Sequence, residues 1–324
     1  MVCNITRGKE IESQHTIYAV ALDEKGKTIL STGDPDYITC IRSALKPFQA
    51  SAVIASGATK TAGFTSKEIA LMCSSHNGEK IHTDIAIGMA NKLQLNISDY
   101  ECGSHEPHDK KTREELRKTK SSLTPFHNNC SGKHSGMLSL AIELKEKTRG
   151  YTQSHHQVQK TIFHQLTKLT GKKNFSFGID GCSAPTPFLS LKTIAKLFQK
   201  LGSEKYYELT EVYRAMSKHP YLIGGKNRFD TDFISALNGR GICKGGGEAV
   251  RGIVIKTKKY GLIGIALKVL DGNHRAIEVA TMGVLNFLNL LTKKEKEELS
   301  KYETIPRTNH RKIHIGNIEI EINN

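Results

Sequence analysis

Ser43 and Lys46 stand three residues apart in Arg42-Ser43-Ala44-Leu45-Lys46-Pro47-Phe48-Gln49. On one helical turn that spacing puts a hydroxyl and an amine on the same face. A serine hydroxyl becomes a nucleophile when a base takes its proton. A lysine can be that base only when neutral, which burial and cationic neighbours favour. Moving its pKa from ~10.4 to about 7.5 takes roughly 4 kcal/mol against the charged form. Arg42 is a candidate for part of that. The chemistry this pair points to is acyl transfer.

Two further stretches carry reactive side chains. Cys73-Ser74-Ser75-His76-Asn77-Gly78-Glu79 is a small polar loop, and His127-Asn128-Asn129-Cys130-Ser131-Gly132-Lys133-His134-Ser135-Gly136-Met137 precedes an apolar helix. A helix start loaded this way is a ready anion or carboxylate site. Phe175 to Ile179 reads as a buried strand that runs into Asp180-Gly181-Cys182-Ser183-Ala184-Pro185-Thr186-Pro187. By ordinary ligand preference, the zinc set to expect from these stretches is Cys130, Cys182 and His134.

The elements that must position these residues follow from pattern. Pro47 fits only near a helix start, and Gly57 marks that helix's end. His15–Leu22 and Lys27–Ser31 read as a hairpin around Asp23-Glu24-Lys25-Gly26. Thr65-Ser66-Lys67-Glu68 is a capping box. Ile81, Ile85, Met89 and Leu93 mark one face of a helix. Residues 99–126 read as loop-rich, with a helix near Lys111–Lys118. Ser154 is the expected cap of a helix ended by Gly171, and helices follow at 190–201 and 204–218. Val250–Ile255 and Leu262–Leu270 read as adjacent antiparallel strands. Asn273 caps a long apolar helix, and a last hairpin lies around Gly316. Strands, many helices, strands and a helix imply an α/β (α+β) fold. Its mostly antiparallel sheet comes from both chain ends, with a helical section, roughly 80–220, inserted in a single 1–324 domain.

Bulk composition narrows the function classes. The 324 residues include 38% hydrophobic and 6% aromatic residues and no tryptophan. No apolar run approaches the ~18 residues of a membrane helix. The first thirteen residues lack an apolar signal region, so a cytoplasmic protein is expected. Seven scattered cysteines read as reduced thiols. The formal charge of +15 comes from dispersed lysines without aromatic interleaving, which reads as a solvated surface and not a nucleic-acid interface. Gly245-Gly246-Gly247 matches neither a phosphate loop nor a dinucleotide fingerprint.

Six blocks together, "RSALKPFQ" (42–49), "ALMCSSHNGE" (70–79), "HNNCSGKHSGML" (127–138), "DGCSAPTP" (180–187), "CKGGGEAVRG" (243–252) and "GIALKVLDGNHRA" (264–276), resemble the Rhizobium etli-type L-asparaginases, the asparaginase II family. The resemblance spans nearly the whole chain. It implies a fold similar to serine β-lactamases, penicillin-binding proteins and serine glutaminases, a small-molecule substrate (L-asparagine) and a homodimer. Residue by residue, it implies Ser43 as nucleophile with Lys46, a second pair in Ser75 and Lys244, and Arg42 beside the nucleophile. It also implies a zinc site of Cys130, Lys133 and Cys182, with Asp180 beside it and His134 in the same block. Lys133 thus replaces the imidazole that ordinary ligand preference suggests. Where some members carry a cysteine after Gly-Arg-Tyr, this chain has Asp230 after Asn227-Arg228-Phe229.

L-Asparagine hydrolysis is accordingly the expected reaction, with Asp180 as an anchor for the substrate's ammonium. Glutamine- or β-lactam-acting relatives share Ser-x-x-Lys, but this chain has no Ser-Asp-Asn or Lys-Thr-Gly companion. The reading from another class is a basic binding protein on an inactive scaffold. The presence of both serines, both lysines and both cysteines argues against it.

Overall fold

The computed structural model describes residues 1–322 and divides them into two compact units. The first comprises residues 1–44, 189–202 and 236–322. Its sheet follows the order Ile305–Thr308, His314–Glu321, Val2–Arg7, Glu10–Leu22, Gly261–Val269, Val250–Thr257 and Gly241–Gly246, with Thr28–Thr32 added to Glu10–Leu22. The pairings are antiparallel. Early and late strands of the chain thus share one sheet, as the element order implies, and the mixed α/β class stands.

Helix Leu191–Leu201 packs on this sheet through Leu191, Ile194, Ala195, Leu197, Phe198 and Leu201, all buried. Two glycines make room for it. A Cβ on Gly252 would strike the Phe198 ring, and one on Gly264 would come within 2.1 Å of the Ala195 carbonyl. A side chain at either strand position would push the helix off the sheet.

The second unit comprises residues 45–188 and 203–235 and is mainly helical. Its centre is helix Ser131–Glu143, in which residues 131–141 are all buried. Gly132 and Gly136, one turn apart, let helix Ser66–Met72 approach. A Cβ on Gly132 would lie 2.3 Å from the Leu71 carbonyl, and one on Gly136 would touch the Met72 side chain. These glycines therefore serve close helix crossing. The Thr65–Glu68 capping box forms with both arms, the Thr65 amide donating to Glu68 Oε2 at 2.6 Å.

Three local expectations need correction. In helix Lys80–Lys92 the buried face is His82, Thr83, Ala86, Met89 and Ala90, while Ile81 is 48% exposed. The apolar stripe did not select the face, because polar His82 and Thr83 find partners inside. Helix Gln157–Thr170 is capped by His156, whose ring accepts from the Val158 amide, and not by Ser154. The strand before Asp180 is only Phe177–Ile179. It is exposed on its outer residues, since it pairs on one side with Pro185–Pro187 and meets Phe163 through Phe177 alone.

Candidate active site

Arg42 and Ser43 lie in a 3-10 turn, Arg42–Leu45, that runs straight into helix Lys46–Ala55, with Pro47 in its first turn. Arg42 has φ +50°, a left-handed backbone that is costly for a residue with a Cβ. Its surroundings in the first unit include the glycines after Lys244. A Cβ on Gly247 would sit 3.0 Å from the Arg42 guanidinium carbon, and one on Gly246 would meet the Ile41 carbonyl and the Arg42 Cβ. The glycine run thus lets the arginine lie against the turn between Gly241–Gly246 and Val250–Thr257. Lys244 is 1% exposed and donates to the Gly245 carbonyl at 2.7 Å.

Within the second unit, Lys46 is 1% exposed. Its amine donates to the Ser74 carbonyl at 2.5 Å, Ser75 Oγ at 3.0 Å and the Asn129 carbonyl at 3.3 Å. Two of these partners can only accept. A neutral amine has two N–H bonds and one lone pair. The carbonyls of Ser74 and Asn129 take the two N–H bonds, and the lone pair is left for the Ser75 hydroxyl. When the amine is protonated, all three hydrogens still find acceptors. The nest therefore serves either state and can pass a proton through Ser75.

The Ser75 loop is fixed from both sides. Ser75 N–H donates to the Ile223 carbonyl at 2.9 Å. Glu79 accepts from Tyr221 Oη at 2.5 Å and from the Lys226 amide at 3.0 Å. His76 is fully buried, with Nε2 2.9 Å from Ser131 Oγ and Nδ1 accepting from the Gly78 amide. Its ring stacks on His82 at 5.0 Å. Burial, followed by the neighbouring His82 and Lys46, holds His76 well below the usual imidazole range.

Cys130, Lys133, His134 and Cys182 form a second buried cluster. Lys133 Nζ is 2.8 Å from the Cys182 sulfur. The hydrogen bond from Cys130 leads the causes that hold Cys182 well below the usual thiol range. Burial opposes it, and Lys133 and His134 reinforce it. Cys130 is raised correspondingly, by its bond to Cys182 and by burial. Burial alone would lower Lys133, but the two sulfurs and Asp180 outweigh it and hold the ammonium above its ordinary value. His134 Nδ1 lies 2.6 Å from Tyr151 Oη, and the ring also meets the Cys182 sulfur.

Among the described residues no group of three or more His, Cys, Asp and Glu side chains is arranged to hold a metal. A zinc site here therefore depends on the Lys133 amine. Two sulfurs and an amine in one buried cluster, with the His134 imidazole beside them, fit a soft d10 cation, provided Lys133 gives up its proton. Asp180 lies in the turn before Pro185–Ser190, its Oδ1 accepting from the Gly181 amide at 2.7 Å. Asp230 lies in the first turn of helix Phe229–Leu237.

The L-asparaginase II family model matches residues 3–320. The chain belongs to the L-asparaginase II family. Family membership makes an amidohydrolase of it at the level of class. No curated protein matches. Among solved structures, the chain is similar to a β-lactamase from Burkholderia ambifaria, with 9% identity over 86% of this chain and 96% of that one and a TM-score of 0.41. A β-lactamase from Sphaerobacter thermophilus gives 14% identity over 86% and 92%, TM-score 0.42. A class A β-lactamase from Mycobacterium abscessus gives 12% over 89% and 91%, TM-score 0.41. No described helix is long and apolar enough to cross a membrane.

Sequence reasoning named Lys46 and Ser75 but paired Lys46 with Ser43 alone. The Lys46–Ser75 contact joins residues 29 apart and has no local signal. The two carbonyls that complete the nest are backbone groups, which no side-chain motif announces. Buried lysine is the signal that could have been used, since an amine in an apolar helix seldom lacks a task.

Proposed function

We propose that this L-asparaginase II family member hydrolyses L-asparagine to L-aspartate and ammonia through a serine acyl-enzyme. The observation that carries the reading is the Lys46 amine, buried and held between two carbonyls with Ser75 Oγ at 3.0 Å. That is the geometry of a proton relay. Ser43 and Lys244 enter through their sequence blocks, "RSALKPFQ" and "CKGGGEAVRG".

In this reading Ser43 Oγ attacks the side-chain amide carbon and its proton passes to a lysine amine. The ammonium so formed returns the proton to the leaving nitrogen, which departs as ammonia. Water then repeats the sequence on the ester and releases aspartate. Arg42 receives the α-carboxylate and Asp180 the α-ammonium. His134 and Asp230 complete the substrate contacts. Zinc on Cys130, Lys133 and Cys182 would supply positive charge that orients substrate. The seven thiols suit a reducing cytoplasm, and the family resemblance suggests a homodimer.

The test is ammonia release from L-asparagine by the wild type and by Ser43→Ala, with L-glutamine and penicillin G in parallel. Asparagine-dependent ammonia that vanishes in Ser43→Ala supports the reading. Preference for glutamine or penicillin overturns the substrate. Activity that survives Ser43→Ala makes Ser75 the nucleophile.

A further inference from the structure

We infer that Asn128 and His105 are positioning residues for the Lys46 amine. The inference rests on the catalytic reading of Lys46 given above. Of the acceptors around that amine, the Asn129 carbonyl comes from the stretch just before helix Ser131–Glu143. A loop carbonyl directs a lysine only if its peptide cannot turn, and two side chains hold this stretch.

The first is Asn128, which is 5% exposed. Its Oδ1 accepts from the Cys130 amide at 2.9 Å. That amide belongs to the same peptide unit as the Asn129 carbonyl, so the bond fixes the plane in which the carbonyl points. The other end of the Asn128 side chain donates to the Cys102 carbonyl at 2.9 Å and the Gly103 carbonyl at 3.2 Å. Each end of the amide is thereby assigned: the NH2 meets carbonyls, which cannot donate.

The second is His105, whose Nε2 lies 3.0 Å from the Asn129 amide nitrogen. Its Nδ1 is 2.7 Å from the Glu106 carbonyl. A carbonyl only accepts, so Nδ1 carries the hydrogen and Nε2 offers its lone pair to the Asn129 N–H. The two ring nitrogens thus have distinct roles, one donating and one accepting. The peptide before Asn129 is held by His105, and the peptide after it by Asn128. Both anchors trace to the 102–106 segment. That stretch has no chemistry of its own, and in the sequence it read as loop. Its task in the fold is to aim one carbonyl at Lys46.

The experiment compares His105→Ala, His105→Gln, Asn128→Ala and the wild type. Glutamine presents a carbonyl acceptor in place of the imidazole lone pair. The first readout is steady-state ammonia release, separated into kcat and KM. The second is the 13Cε resonance of Lys46 in protein labelled on lysine, assigned by its loss in Lys46→Ala. In His105→Ala we expect kcat to fall about tenfold with KM within twofold, and the Lys46 resonance to move. His105→Gln restores both. Asn128→Ala lowers kcat further, and circular dichroism reports whether it remains folded. Unchanged kcat and an unmoved Lys46 resonance in His105→Ala overturn the inference. So does a His105→Gln protein as impaired as His105→Ala. If the wild type releases no ammonia at all, the proposed reaction fails, while the resonance still decides the positioning role.

Discussion

The amine of Lys133 meets the sulfur of Cys182 at 2.8 Å inside the protein. Both groups are buried, so each depends on the other for a polar contact that water does not supply.

Two substitutions separate the structural and metal-binding sides of this pair. Lys133→Met removes the amine and leaves the buried Cys182 sulfur without one of its polar partners, which costs about 2 kcal/mol of stability. Lys133→Arg keeps a cation that can pair with the sulfur, but a guanidinium does not deprotonate and cannot ligate. The expected outcome is a large drop in urea midpoint for the Met variant and a small one for the Arg variant. If the proposed zinc site forms, zinc measured per chain by a chromophoric chelator after denaturation falls to background in both.

Lys46→Met tests the relay. The methionine fills a similar volume and removes a buried amine. General acid–base catalysis contributes on the order of 10²–10⁴, so kcat should fall by about 10³ with little change in KM. The melting temperature should change little, because the easier burial of a thioether offsets the three lost hydrogen bonds. A large loss of both stability and KM would assign Lys46 a structural role instead.

Gly247→Ala tests the support of Arg42. The new methyl would sit 3.0 Å from the guanidinium carbon and force it to shift. The expected result is a KM for L-asparagine raised about tenfold, the equivalent of 1.4 kcal/mol, with kcat nearly unchanged. β-Alaninamide, which keeps the amine but lacks the α-carboxylate, should be a poor substrate for both proteins and show no such ratio.

Acid sensitivity should come from buried imidazoles. Burial leads the causes that depress His76 and His82. Their folded pKa values lie below the unfolded value of about 6.5, so the unfolded chain binds more protons as the pH falls. Their contribution is complete above about pH 6.5 and is lost as pH falls toward the folded values. The urea midpoint should therefore drop between pH 7.5 and pH 5. His76→Gln should show a smaller drop than the wild type. An equal drop would assign the acid sensitivity to other groups.

Legibility in the sequence varied with the range of the interaction. The capping box at Thr65–Glu68 and the hairpin from Val250 to Leu270 were readable because each closes within a few residues. The antiparallel sheet with its helical insertion was readable from element order alone. What was missed depends on tertiary partners. Val2–Arg7 lacks a clear alternation because both Ile5 and its neighbours Asn4 and Thr6 are buried. Ile81 misled because a histidine took the inward face of its helix. In the candidate site, side-chain types marked Lys46, Ser75, Cys130 and Cys182. The positioning groups did not stand out, since Asn128 and His105 act through backbone amides brought together by folding.

The sheet described above joins strands from opposite ends of the sequence: Val2–Arg7 lies against His314–Glu321, and Asn4 reaches Glu321 across 317 positions. During synthesis the first strands emerge long before their neighbours. The helical unit, closed by residue 235, can be fully translated while Val2–Arg7 still lacks one flank. Loop closure over such distances is slow. For that interval the nascent chain carries an open sheet edge of buried-type residues, and it is then that a chaperone or a like chain would find it.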